Sequence, residues 1–191
     1  MTSNGLDAAL WSFGRGAGLA ALGLFTLSLL LGIIGRSGRS LPLLGRVGVS
    51  DLHRTAALTG TGLVAVHVGS LLIDPYAQLK VVDLLLPFLA AYRPFWLGIG
   101  TLAADLLVLI TLVSVLRARI GPRVFRSVHW ATYVLWPFAL VHALGAGSDA
   151  TSPWFRAFAL ACTLAVVSAV GWRLAASFPG RGWDRQPRRT A

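Results

Sequence analysis

Stretches of about twenty apolar residues, the length a helix needs to cross a hydrocarbon core, recur along this chain and leave it few ways to fold. They cover roughly Gly16 to Ile34, Leu52 to Ile73, Phe95 to Leu116, Val124 to Leu144 and Trp154 to Phe178. Lipid offers the backbone no hydrogen-bond partners, so such stretches must close their bonds internally as helices. Of 191 residues 55% are hydrophobic and 13% charged, too few polar side chains to coat a soluble domain of this size. The expected fold is an all-α polytopic membrane bundle of about five transmembrane helices. Val81 to Tyr92 is apolar too, but Asp83 and Pro87 interrupt it. It is expected as one short interfacial or re-entrant helix over the outer face of the bundle.

A net charge of +10 invites a nucleic-acid reading, but the arginines cluster between the apolar runs, where membrane topology places them. Arg36, Arg39, Arg46 and Arg54 follow the first run, and Arg117, Arg119, Arg123 and Arg126 follow the third. Arg173, Arg181, Arg185, Arg188 and Arg189 follow the fifth. The alternate connections hold Arg15, Lys80, Arg93 and Arg156, diluted by Asp7, Asp74, Asp83 and Asp149. The positive-inside rule then gives an outer N-terminal segment over 1–15, a membrane domain over 16–178 and a basic cytoplasmic tail over 179–191 in a cell membrane. The first run is long for a cleaved signal peptide and lacks a small-residue cleavage site after it, so none is expected. Cys162 is the only cysteine and Met1 the only methionine, which excludes an internal disulfide, a thiolate cluster and a Met axial ligand.

All four histidines fall inside apolar runs, two to a run. His53 and His67 are fourteen residues apart, His129 and His142 thirteen. At 1.5 Å per residue either interval is about 20 Å, which puts one histidine near each face of a core about 30 Å thick. Both runs point from the cytoplasm outward, so His53 and His129 share one level while His67 and His142 share the other. Two facing imidazoles at one depth can fill both axial positions of a haem iron, and the chain offers that arrangement twice. Fourteen residues return to within about 40° of the starting direction, whereas thirteen leave about 140°. A kink or local rewinding at Pro137 is expected to bring the second imidazole round. Zinc suits the pattern less well, since the levels are too far apart for one ion and carry no carboxylate or thiolate partners.

Neighbouring residues extend the candidate site. Gly60 and Gly62 would let a flat macrocycle approach the backbone, or mark a close helix contact. Trp136 and Phe138 could fill the gap between stacked cofactors or belong to the core. Arg54, Arg46 and Arg126 stand at the cytoplasmic level, where propionates would want cations, and Arg93 with Tyr92 at the outer level. Asp105, the one carboxylate within a span, is either a proton or propionate partner facing the bundle interior or an acid satisfied by a nearby hydroxyl.

Two histidine-bearing spans separated by one spacer, together with DLHRTAALTGTGLVAVHVG, DPYAQLKVVDLLLPFLAAYRPFW and VHWATYVLWPFALVHALGAGSD, resemble the ferric reductase-like transmembrane domain family. That family includes ferric-chelate reductases, NADPH oxidases and the haem-binding membrane subunit of the bacterial methionine sulfoxide reductase system. The likeness is to its stand-alone bacterial branch and covers about Gly16 to Leu174. It implies two b-type haems, His53 with His129 on the inner and His67 with His142 on the outer, carrying electrons outward from a cytoplasmic donor. The chain shows no Gly-rich dinucleotide fingerprint. Electrons would therefore come from a separate donor protein, a quinol or a flavin held by a partner, and an extracytoplasmic reductase is one expected acceptor. Two rival readings stay open: a quinol-linked cytochrome b-type membrane anchor, and a small transporter or scaffold whose histidines relay protons.

Overall fold

The computed structural model describes residues 3–38, 44–74, 79–175 and 178. The tail 179–191 and Arg39, both used above to orient the chain, lie outside the described residues. The protein is almost entirely helical: α1 (Ser3–Ser37), α2 (Arg46–Ile73), α3 (Val81–Leu85), α4 (Pro94–Val115), α5 (Arg117–His129), α6 (Thr132–Ala146) and α7 (Pro153–Leu174). Four of these, α1, α2, α4 and α7, are long and apolar enough to cross a membrane, and the shorter α6 is apolar as well. This is a multi-pass membrane protein.

Helix ends follow local chemistry. α1 stops where Gly38 takes a left-handed conformation (φ 74°), a terminator that lacks the Cβ penalty. α4 and α7 each begin with a proline, Pro94 and Pro153, at a first-turn position where the missing N–H is no loss. α3 ends two residues before Pro87, whose ring disfavours helix in the residue ahead of it.

The fourth apolar run is not one helix. It divides into α5 and α6 at Trp130 and Ala131, where the backbone bonds tighten to i→i+3 spacing: Ala131 N to Val128 O at 2.9 Å, Tyr133 N to Trp130 O at 3.1 Å and Val134 N to Ala131 O at 3.0 Å. The Arg173 guanidinium of α7 lies over the Trp130 ring at 4.6 Å and the Tyr133 ring at 5.4 Å, and this cation–π contact pins the break to α7. The expected change of winding thus occurs ahead of Pro137, through which α6 runs on as helix.

α1 lies along α2 and also touches α6 and α7, while α4 packs on α6. One core joins Leu22 of α1 to Trp136 and Leu140 of α6 and to Phe155, Ala159, Cys162 and Val166 of α7. A second joins Leu107 and Ile110 of α4 to Leu135 of α6, with Phe25 and Val64 against it. At one end of the bundle Arg15 pairs with Asp149 at 3.0 Å, and Arg93 donates to Gly145 O at 2.7 Å. These bonds tie α1 at Arg15 and the start of α4 to the end of α6 and the residues just after it.

The segment from α3 to Arg93 is docked on α4. Thr101 Oγ1 donates to Asp83 O at 2.8 Å, and Phe88 (φ 70°) turns its ring onto Gly98. A Cβ at Gly98 would meet that ring and would stand 2.6 Å from the Phe88 backbone nitrogen, which cannot swing aside. Gly98→Ala is expected to destabilise the protein by about 1–3 kcal/mol, the usual penalty of overpacking. Thermal unfolding in detergent measures it, and an unchanged midpoint would show that the segment moves off α4 without penalty.

Candidate functional site

The four histidines meet two by two. His53 and His129 have ring centroids 6.2 Å apart with planes at 77°, and His67 and His142 have centroids 6.4 Å apart, also at 77°. A first-row metal binds imidazole nitrogen at about 2.0–2.1 Å, and the centroid lies about 1.1 Å beyond, so two imidazoles on opposite sides of one ion stand about 6.3 Å apart. Both pairs have that separation. Among the described residues no group of three or more His, Cys, Asp or Glu side chains converges.

Hydrogen bonds fix the tautomers. His67 Nδ1 donates to Gly14 O at 2.8 Å, His142 Nδ1 to Trp96 O at 2.9 Å and His53 Nδ1 to Ser28 O at 2.8 Å. Ser28 Oγ lies 3.1 Å from the same His53 nitrogen and donates to His53 O at 3.3 Å. A carbonyl oxygen only accepts, so in these three rings Nδ1 carries the proton and Nε2 keeps its lone pair for a ligand. Metal-binding histidines characteristically spend their second nitrogen in this way, and the bond both orients the ring and raises its basicity. His129 differs. Its Nδ1 is buried without a hydrogen-bond partner among the described residues, and the Phe125 ring stacks on it at 5.2 Å.

The other candidates are dispersed. Gly60 is buried under Phe25 of α1, and Gly62 faces open space. Trp136 is buried in the α1–α6–α7 core and donates from Nε1 to Thr26 Oγ1 at 2.9 Å; Phe138 is half-buried. Arg46, Arg54 and Arg126 are exposed, and Arg126 Nε bonds to Pro122 O of its own helix at 3.2 Å. Arg93 lies over Tyr92 at 5.4 Å as well as bonding to Gly145. Asp105 is exposed, five residues on from Gly100, which backs His142. It therefore points about 140° away from that ring, which goes against the first of its two readings, a partner facing the bundle interior.

The residues that sequence reading missed are those behind the rings. Gly18 and Gly32 of α1 back His67 and His53, as Gly100 of α4 backs His142. A signal existed: Gly18 and Gly32 are fourteen residues apart, the same interval as His53 and His67.

Fold and site together define a polytopic helical membrane protein with imidazole pairs at two levels between its helices. The chain belongs to the ferric reductase like transmembrane component family, whose profile matches residues 17–140. That stretch contains His53, His67 and His129 and stops just short of His142. Membership is consistent with a role as a membrane oxidoreductase component. Searches of curated proteins and of solved structures found no match.

Proposed function

We propose that this chain is a transmembrane electron-transfer protein that holds two b-type haems, one between His53 and His129 and one between His67 and His142. The observation that carries the reading is the matched separation of the two pairs, 6.2 and 6.4 Å, with Nδ1 of three rings already committed to carbonyls. With haem bound at both levels the iron would supply one-electron chemistry, linking a cytoplasmic or membrane donor to an acceptor at the outer face.

What the chain contributes is orientation and exclusion. The carbonyls of Gly14, Ser28 and Trp96 hold three imidazoles in one tautomer, so Nε2 is presented without rearrangement. Apolar helices keep water from both levels, and the fourteen-residue interval along α2 sets them about 21 Å apart. In this reading α6, with the last turn of α5, is a fifth span, and α3 with the residues after it lies at the outer interface. The His53 level is cytoplasmic, because Arg36, Arg46, Arg54, Arg117, Arg119, Arg123, Arg126 and Arg173 all gather toward that end of the helices. The donor would be a protein, a quinol or a flavin that reaches the His53 level.

Protein purified in detergent is expected to show a reduced-minus-oxidised b-type spectrum and about two haems per chain. The ferric EPR signal should be strongly anisotropic, because imidazole planes at 77° are close to perpendicular. A colourless protein would remove the electron-transfer reading and favour histidines that relay protons.

A further inference from the structure

Three of the four imidazoles rest on the same local device, a helix carbonyl and a glycine one turn later. The acceptors are the carbonyls of Gly14, Ser28 and Trp96, and the residues four positions on are Gly18, Gly32 and Gly100. In an α-helix the Cα–Cβ bond tilts toward the N-terminus, so a side chain at the later position leans over the turn that bears the carbonyl. A Cβ at Gly100 would stand 2.5 Å from His142 Nδ1 and 2.6 Å from Cε1. At Gly18 it would stand 2.9 Å from His67 Nδ1 and 3.1 Å from Cε1. At Gly32 the nearest approach is milder, 3.3 Å to His53 Cε1 and 3.5 Å to Nδ1.

The seam between α1 and α2 repeats the logic. On α1 Gly18, Phe25 and Gly32 follow at seven-residue intervals, and on α2 His67, Gly60 and His53 oppose them in reverse order. Small faces large at every level, with Phe25 Cε1 2.9 Å from where a Gly60 Cβ would lie. Close approach of backbones through small residues is how membrane helices pack without a hydrophobic drive. Here the same small residues leave the space that the rings occupy.

We propose that Gly18, Gly32 and Gly100 are positioning residues: each leaves the gap in which an imidazole docks against a helix carbonyl, and so sets the ring's tautomer and the direction of its Nε2. The inference rests on the haem reading of the paired histidines. Gly18 and Gly100 serve the two rings of a single level from different helices. Gly32 serves one ring of the other level, where His129 has no such seat.

The test compares wild type with Gly16→Ala, Gly18→Ala, Gly32→Ala and Gly100→Ala, reading haem-to-protein ratio, the ferric EPR signal and the redox titration of each haem. Gly16 is the control, since a Cβ there meets nothing within 4 Å. Gly18→Ala and Gly100→Ala are each expected to lose about half the haem, or to shift the signal of one haem only, the one that His67→Ala removes. Gly32→Ala should keep both haems and shift the other signal by less. Retention of the second haem shows that the bundle has folded. Should Gly100→Ala not fold, Gly18→Ala, with its milder clash, decides the question for the same level. Two haems in wild type with unchanged spectra and potentials in Gly18→Ala and Gly100→Ala would overturn the positioning role alone. So would equal disturbance of both haems, which marks general packing. A wild type without haem would overturn the reading beneath it and this inference together.

Discussion

His142→Ala is expected to purify with about one haem per chain against about two expected for wild type, and the haem that remains should keep its spectrum and potential. His142 faces His67 at a centroid distance of 6.4 Å, and nothing else at that level gathers as a ligand set among the described residues. On the proposed reading, truncating either partner would take away one axial nitrogen, and the single bond left would not hold a cofactor that needs both. His67→Ala should therefore remove the same haem, and the double variant should lose no more than either single one, since two groups acting as a unit are not additive. His53→Ala and His129→Ala should remove the other. Pyridine haemochromogen analysis with a redox titration resolves the two populations. Two haems retained in His142→Ala would mean that the facing rings are not the ligands.

Trp136→Ala is expected to be the most destabilising core substitution, at about 3–5 kcal/mol on the scale of large aromatic truncations. The side chain is 5% exposed and packs among Leu22, Leu140 and Phe155. Lipid is as apolar as the core, so the transfer part of that penalty shrinks and the lower end of the range applies; the cavity and the lost contacts remain. Its Nε1–H donates to Thr26 Oγ1 at 2.9 Å, and Thr26 in turn donates to Leu22 O at 2.8 Å, so the indole also joins α6 to α1 by a buried hydrogen bond. Trp136→Phe keeps most of the packing and should lose about 1 kcal/mol. Unfolding by denaturant titration in detergent orders the two. On an ideal helix Trp136 points about 120° away from His142, so Trp136→Ala should leave the haem spectra of folded protein unchanged. A shifted spectrum with little loss of stability would instead make Trp136 the spacer between the two levels.

Much of the site was legible because periodicity in a membrane helix is a measure of depth. The interval from His53 to His67 fixed both their separation and their common face, and the two pairs then stood level by counting alone. The thirteen-residue interval was where counting failed. An ideal helix leaves His129 and His142 about 140° apart. The structure brings both onto partners through the i→i+3 bonds at Ala131, Tyr133 and Val134, which wind at about 120° per residue. Pro137 was the visible breaker, but the break lies at Trp130, held by Arg173 of α7, forty-three residues further on. No local reading of the fourth apolar run contains that contact.

The sequence by itself determined the solvent this protein folds in, the helical class that follows from it, and which imidazoles stand level with one another along the bundle. These are one-dimensional quantities: run length, charge alternation and residue count times a fixed rise. Only the tertiary structure decided which atoms stand behind each ring. That choice turns on the rotation and approach of neighbouring helices, set by small residues whose effect is the absence of a side chain. Gly18 and Gly100 could be read as ordinary membrane glycines until α2 and α6 placed His67 and His142 against them.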